Sequence, residues 1–424
     1  MYDATKVSTP KILYCDVPSI TISASAELPI ISDVITMSHL QRAAAALQAD
    51  EVVAFPTETV YGLGGSALAG SSAIAKIFKT KGRPADNPLI VHIAHPNQLE
   101  SVVDPSYKDH LPSCYSVLME RFWPGPLTIL FPTLPGRLVS EKVTCGLNTV
   151  GVRIPSHPVA RALLSLAKVP VAAPSANISG RPSPTTARHV ETDLQSASDL
   201  ACILDGGSCT VGVESTVVTA LRNRDYNEGK AAEAGQSGKE ILSILRLGGV
   251  SPEQLRACLE DAGIADQVDL HVEAHTQAAT QASVERNGNA VDVFVPSTPG
   301  MKYKHYSPDA KVILLQSGSS EAAQELAIVM RPYHGKNIGL LHMGSSPLSS
   351  ALSMHLDDLH SVSLGDVHDY ESHAQGLFGG LRRFDEAGVD VILVEYVREE
   401  GLGRTVMERL RKAAGGSEVV LVRL

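Results

Sequence analysis

The sequence predicts an α/β protein built as two domains, on three observations. At 424 residues the chain exceeds one ordinary domain. From Ser38 to Gly249, apolar runs of strand length alternate with segments of helical period. The rhythm then lapses and restarts at Lys311, as a second, smaller doubly wound unit would require.

Taken in order, residues 1 to about 37 read as an extended lead-in with one or two strands. Ser38 caps a helix over 38–49, and a strand follows over 51–55. Ser71 or Ser72 caps a helix with Ile74, Ile77 and Phe78 on one face. Strands are expected over 89–93, 127–131, 169–173, 202–204 and 215–220, with helices over 159–167 and opening at 185–189. The polar, Gly-rich stretch 223–239 reads as a long loop, and 252–262 as a short helix. The following segment, to about residue 289, lacks periodicity and reads as a linker. In the second unit, strands over 312–315, 338–342, 389–397 and 418–422 alternate with helices over 321–330, 370–384 and 405–413.

Composition narrows the classes. Hydrophobic residues make up 44% and aromatics only 4%, so a sizeable, aliphatic core is expected. A net charge of −10 argues against nonspecific coating of nucleic acid. The six cysteines form no CxxC pair, which points away from disulfides and structural zinc and towards a reducing, cytoplasmic setting. No membrane span and no targeting segment is expected.

Several loops carry residue types suited to anionic ligands. Lys79, Lys81 and Arg83 crowd three cations into five residues, with Gly82 and Pro84 shaping the backbone. That is either a helix C-terminus or a polyphosphate site. After a strand, PTETVYGLGG (56–65) offers hydroxyls at Thr57, Thr59 and Tyr61, and glycines that let a ligand approach. Arg153 lies among strand-like apolar residues, so its burial requires a carboxylate partner, structural or bound. APSANISGRPSPT (173–185) begins at the end of a buried strand, where ligands of open α/β sheets bind. Gly-rich turns at 205–207 and 212–216, Arg246, and a basic, aromatic TPGMKYKHYSP (298–308) complete the set. The histidines at 342, 355, 360, 368 and 373 have no metal-binding spacing, and Gly401-Leu402-Gly403-Arg404 lacks a third glycine. Hydroxyls, amides and cations without a nucleophile suit phosphoryl or nucleotidyl chemistry.

In this order, PTETVYGLGG, KTKGRPADNPLIVHI, FWPGPLT, GVRIPSHPVA, APSANISGRPSPT, ILDGG and GVESTVV resemble the YrdC-like threonylcarbamoyl-AMP synthases, over residues 38 to 250. With TPGMKYKHYSP and a second α/β unit, the chain looks like the long, two-domain form. The resemblance implies a twisted mixed-sheet catalytic domain over 38–250 with an open, positive concave face. A linker over 251–310 with a nucleotide-covering segment and a Rossmann-like domain over 311–424 follow. It implies that L-threonine, bicarbonate and ATP, with Mg²⁺, give threonylcarbamoyl-adenylate, pyrophosphate and water. The adenylate would serve N6-threonylcarbamoyladenosine formation in tRNA, through a downstream transferase machinery; direct tRNA binding stays open. By motif, Lys81 and Arg83 match the catalytic pair at the triphosphate, with Asn87 nearby. Thr149, Ser175, Ser183, Arg246 and Tyr306 match further ATP contacts, Tyr306 folding back over the nucleotide. Thr59, His92, Arg153, Ala173 (through its backbone) and Ser215 match threonine contacts, Arg153 holding the carboxylate in a fork. The second domain, to which no chemistry is assigned, would hold the linker in place. Two alternatives remain: an RNA-binding or regulatory module using the same face, and a carbamoyltransferase accessory domain, whose zinc-finger cysteines are missing here.

Overall fold

A computed structural model describes residues 10–22, 28–107, 110–221, 239–273, 305–316, 331–344, 359–415 and 420–421. The first part of the chain supplies β1 (Lys11–Tyr14), β2 (Ile20–Thr21), β3 (Ile30–Ile31), β4 (Val52–Phe55), β5 (Gly62–Ser66), β6 (Ile90–His92), β7 (Leu127–Pro132), β8 (Thr149–Arg153), β9 (Val171–Ala172), β10 (Leu200–Asp205), β11 (Thr216–Thr219), β12 (Glu240–Arg246) and β13 (Val268–Val272). β2 and β3 form a small antiparallel ribbon. The other eleven make one mixed sheet, ordered β1-β10-β4-β5-β9-β6-β8-β7-β11-β12-β13.

Both faces of the sheet are covered. Along β4, Val52 and Ala54 enter one apolar cluster while Val53 and Phe55 enter another, as alternation demands. Helices Val34–Gln48 and Pro158–Ala167 cover the second cluster, through Leu40, Leu47, Val159 and Leu163. Helices Ala73–Lys81, Ser113–Phe122 and Ala187–Leu194 cover the first.

The second domain is a wholly parallel sheet of β14 (Lys311–Gln316), β15 (Ile338–His342), β16 (Leu359–Ser363), β17 (Val391–Glu395) and β18 (Val420–Leu421). Its order is β16-β15-β17-β14-β18. Helices Tyr370–Ala387 and Gly403–Ala413 present one layer to the first domain. There Val60, Val213 and Tyr306 share an apolar cluster with Leu377, Phe378, Leu381, Val406 and Leu410. The fit is close enough that a Cβ at Gly212 would sit 2.4 Å from the Gln375 Cα.

Several boundaries differ from the sequence reading, three of them for a visible reason. The first helix opens at Val34, not Ser38, because the Asp33 carboxylate accepts from Thr36 N at 2.7 Å and caps it. The helix expected at Thr185 starts at Ala187, capped by Thr186. After helix Pro252–Asp261 the chain does not leave the large sheet: Val268–Val272 pairs in parallel with Glu240–Ile244 as its edge strand. Nearly all of the expected loop over 223–239, residues 274–289 of the linker and the helix over 321–330 lie outside the described residues.

Candidate functional site

The motif-bearing loops converge on one side of the large sheet around a cavity of about 70 Å³. Ten of the thirteen residues singled out from sequence line it: Thr59, Arg83, His92, Arg153, Ala173, Ser175, Ser183, Ser215, Arg246 and Tyr306. They come from seven separate stretches of chain, so the sheet and its loops assemble the site. Ile90 and His92, two apart on β6, face the cavity together. The parallel register of β6 with β8 sets His92 beside Arg153.

Local chemistry fixes the walls. Helix Ala73–Lys81 stops at Gly82, whose φ of +59° only glycine adopts freely. Gly82 N donates to Lys79 O and Arg83 N to Phe78 O, the two bonds of a Schellman stop. Arg83 thus leaves the helix and is held by Nε to Asn87 O (3.1 Å) and Nη2 to Pro88 O (2.9 Å). In the turn before β5, the Thr57 hydroxyl accepts from Thr59 N and Val60 N and donates to Val60 O. Ser215 lies between the Thr128 hydroxyl (2.8 Å) and the Arg246 guanidinium.

The electrostatics are those of a dehydrated cationic site. Arg153 is buried beside Glu58, which takes one Nη in a short ion pair, while the other Nη donates to Thr59 Oγ1 at 3.0 Å. Its Nε, also buried, has no partner among the described residues. Burial pushes His92 down to about 3, Arg153 adding to the effect, so its ring is neutral, and its Nδ1 too is unpartnered. Burial likewise lowers Arg83 to about 10 and His305 to about 3. Among the described residues, the single cavity-lining carboxylate is Glu214. Burial pushes it up, but Arg409, Arg246 and Ser183 outweigh that and leave it below the ordinary carboxylate value.

Three expected residues stand back from the cavity. Lys81 is buried behind the Ser175–Asn177 loop, its ammonium donating to Ser175 O and Asn177 O at 2.5 Å each. Asn87 is buried with an Oδ1 that has no partner among the described residues, and Thr149 lies beside Thr128 and Gly151 in a neighbouring depression. The Tyr61 hydroxyl turns away to Gly207 O at 2.7 Å. Gly62–Ser66 is a strand: Gly62 lines the cavity, while Gly64 and Gly65 face side chains of the core. A Cβ at Gly64 would lie 2.6 Å from Phe55 and 2.8 Å from Val171, so that glycine makes room for core side chains. Of the segment 298–308, residues 298–304 lie outside the described residues, while His305 and Tyr306 reach the cavity. Sequence reasoning missed Glu58, Glu214 and His305 as individual residues. All three sit inside recognised motifs, but no spacing separates them from their neighbours.

Known proteins match this arrangement. A family model described as "Telomere recombination" matches residues 45–227, and one described as "Threonylcarbamoyl-AMP synthase, C-terminal domain" matches residues 250–415. The threonylcarbamoyl-AMP synthase of Bacillus subtilis is 40% identical over 89% of this chain and 93% of its own length. That of Pyrococcus abyssi is 39% identical over 88% and 93%. The crystal structure of P. abyssi Sua5 complexed with L-threonine superposes with a TM-score of 0.70 at 35% identity, covering 97% of this chain and 99% of that one. No helix among the described residues is long and apolar enough to cross a membrane. With identity of this level along nearly the whole chain, in both domains, the chain belongs to the threonylcarbamoyl-AMP synthase family.

Proposed function

We propose that the cleft condenses L-threonine, bicarbonate and ATP into L-threonylcarbamoyl-adenylate, releasing pyrophosphate and water. The observation that carries this reading is the pair of buried, unpartnered polar atoms, Arg153 Nε and His92 Nδ1, side by side at the cavity. Buried polar groups are nearly always satisfied, so such a pair calls for a small polar ligand. Threonine supplies one. Its carboxylate meets Arg153 Nε, sharing the guanidinium with Glu58, and its amino end lies towards neutral His92 and the Ala173 carbonyl. Thr59 and Ser215 hold the rest of the amino acid.

ATP lies on the other side, against Arg83, Ser175, Ser183, Arg246 and Tyr306. The threonine amine and bicarbonate form a carbamate, with loss of water. A carbamate oxygen attacks the α-phosphorus, and pyrophosphate leaves. Arg83 and Arg246, dehydrated and already in place, meet the charge that develops on the phosphates. Lys81 acts from behind, holding the Ser175–Asn177 wall. Mg²⁺ enters with ATP, as part of the substrate. The adenylate is then consumed by a transferase that modifies tRNA.

Pyrophosphate release from ATP tests the reaction. Release is expected only when threonine and bicarbonate are both present; release that ignores either one refutes the reading.

A further inference from the structure

Arg409, on helix Gly403–Ala413 of the second domain, is fully buried. Its Nε donates to Glu214 Oε2 at 3.0 Å, and an Nη donates to Leu247 O at 2.7 Å. Its Cζ lies 5.2 Å from the centre of the Tyr306 ring, which also stacks on Phe378 (centroids 5.3 Å, 24°). Each of these contacts is one step from the cavity. Glu214 Oε1 accepts from Ser183 Oγ at 2.6 Å, Leu247 follows Arg246 in the chain, and Tyr306 is itself part of the wall.

A buried ion pair alone is weak grounds for a role, because apolar side chains of similar volume often stabilise as well. What apolar packing cannot do is hold two points with directed hydrogen bonds and a third with a charged face. A guanidinium offers a rigid fork and a flat face at once. Those three points belong to three segments of the first domain and linker, and all lie on the nucleotide side. Arg153, by contrast, takes both its partners, Glu58 and Thr59, from the first domain.

We propose that Arg409 is a positioning residue for the nucleotide: it sets Ser183, Arg246 and Tyr306 in one geometry, so ATP binds productively only when the second domain is docked. This rests on the assignment of ATP to that side of the cleft. Tyr306 is the part that most needs holding, since its φ of +63° is one that non-glycine residues rarely adopt.

The test compares the full-length wild type with Arg409→Lys, which keeps the charge but replaces the fork by a single point. Arg409→Met, which removes both, is the harsher variant. Arg404→Met serves as control, because Arg404 makes an exposed ion pair with Glu253 across the same domain interface. Loss of a charged hydrogen bond corresponds to roughly a ten- to hundredfold weaker interaction. KM for ATP should rise by that factor in Arg409→Lys and more in Arg409→Met, with KM for threonine within about twofold and Arg404→Met unchanged. Equilibrium ATP binding by titration calorimetry should weaken by the same factor and needs no turnover. An unchanged ATP affinity in folded Arg409→Lys overturns the proposal. So does a parallel rise in both KM values, or an equal effect of Arg404→Met, since either marks general loosening of the interface. A wild type that binds ATP but never releases pyrophosphate with threonine and bicarbonate overturns the reaction instead, and the calorimetric comparison still decides the role of Arg409.

Discussion

Lys81 and Arg83 are two residues apart, yet the helix stop at Gly82 sends them to different places. Arg83 reaches the cavity and is only partly buried, so water in the cleft can replace it at the Asn87 and Pro88 carbonyls. Arg83→Ala should cut kcat by roughly tenfold or more with little change in the urea midpoint. Lys81→Ala should lower both, because it strands the Ser175 and Asn177 carbonyls in a buried wall, at about 1.5–3 kcal/mol for each charged hydrogen bond. A Lys81→Ala protein with wild-type stability would refute that structural role. The buried histidines add a pH dependence. His92 and His305 sit near 3 when folded against 6.5 unfolded, so between those values only the unfolded chain takes up their protons. Stability is complete above 6.5 and falls with acidification by up to about 1.4 kcal/mol per pH unit for each ring. Denaturant titrations from pH 7 to 4 should show a shallower slope in His305→Asn; an unchanged slope would count against a neutral, buried ring. At this scale the sequence revealed the cations and hydroxyls, because such residues are unusual in shaped loops. It did not reveal Glu58 as the partner of Arg153, since a carboxylate 95 residues away becomes adjacent only through the sheet.

The glycines of β5 show what a motif can hide. Read as glycines that let a ligand approach, they lie in a strand: Gly62 does line the cavity, but the missing side chains of Gly64 and Gly65 make room for Phe55, Val171 and Ala73. Gly64→Ala should therefore destabilise by about 1–3 kcal/mol through overpacking, measured as a lower denaturant midpoint. Substrate KM values should move little in the folded fraction, and a change in KM without a stability loss would restore the ligand-loop reading. Most strands were legible as short apolar runs because they are covered on both faces. Helix starts were less so: Asp33 and Ser38 are both good caps, and the choice between them rests on a contact with Thr36 that composition does not show. β13 was missed because an edge strand with only Val268 fully buried has no apolar run to announce it.

Across the whole molecule, the two domains are joined by buried charge. Asp193, wholly inaccessible, accepts from Arg382 at 2.7 and 3.1 Å and from Arg181 at 3.1 Å, while Arg382 also donates to Pro182 O, next to Ser183. Asp193→Ala should cost about 3–5 kcal/mol by leaving Arg382 buried without its counter-charge. A thermal unfolding midpoint equal to wild type would show that the pair does not hold the interface. The two-domain plan was legible from the lapse and restart of periodicity near residues 263 and 311. The mutual dependence of the domains was not, since Arg382 and Arg409 look like ordinary polar positions on amphipathic helices. Glu214 and Arg409 are 195 residues apart in the chain. At ribosomal speeds of about 5–20 residues per second, roughly 10–40 seconds separate their synthesis. On the role proposed for Arg409, a nascent catalytic domain in that interval would bind ATP roughly ten- to hundredfold more weakly than the finished chain, so translation itself would delay ATP consumption.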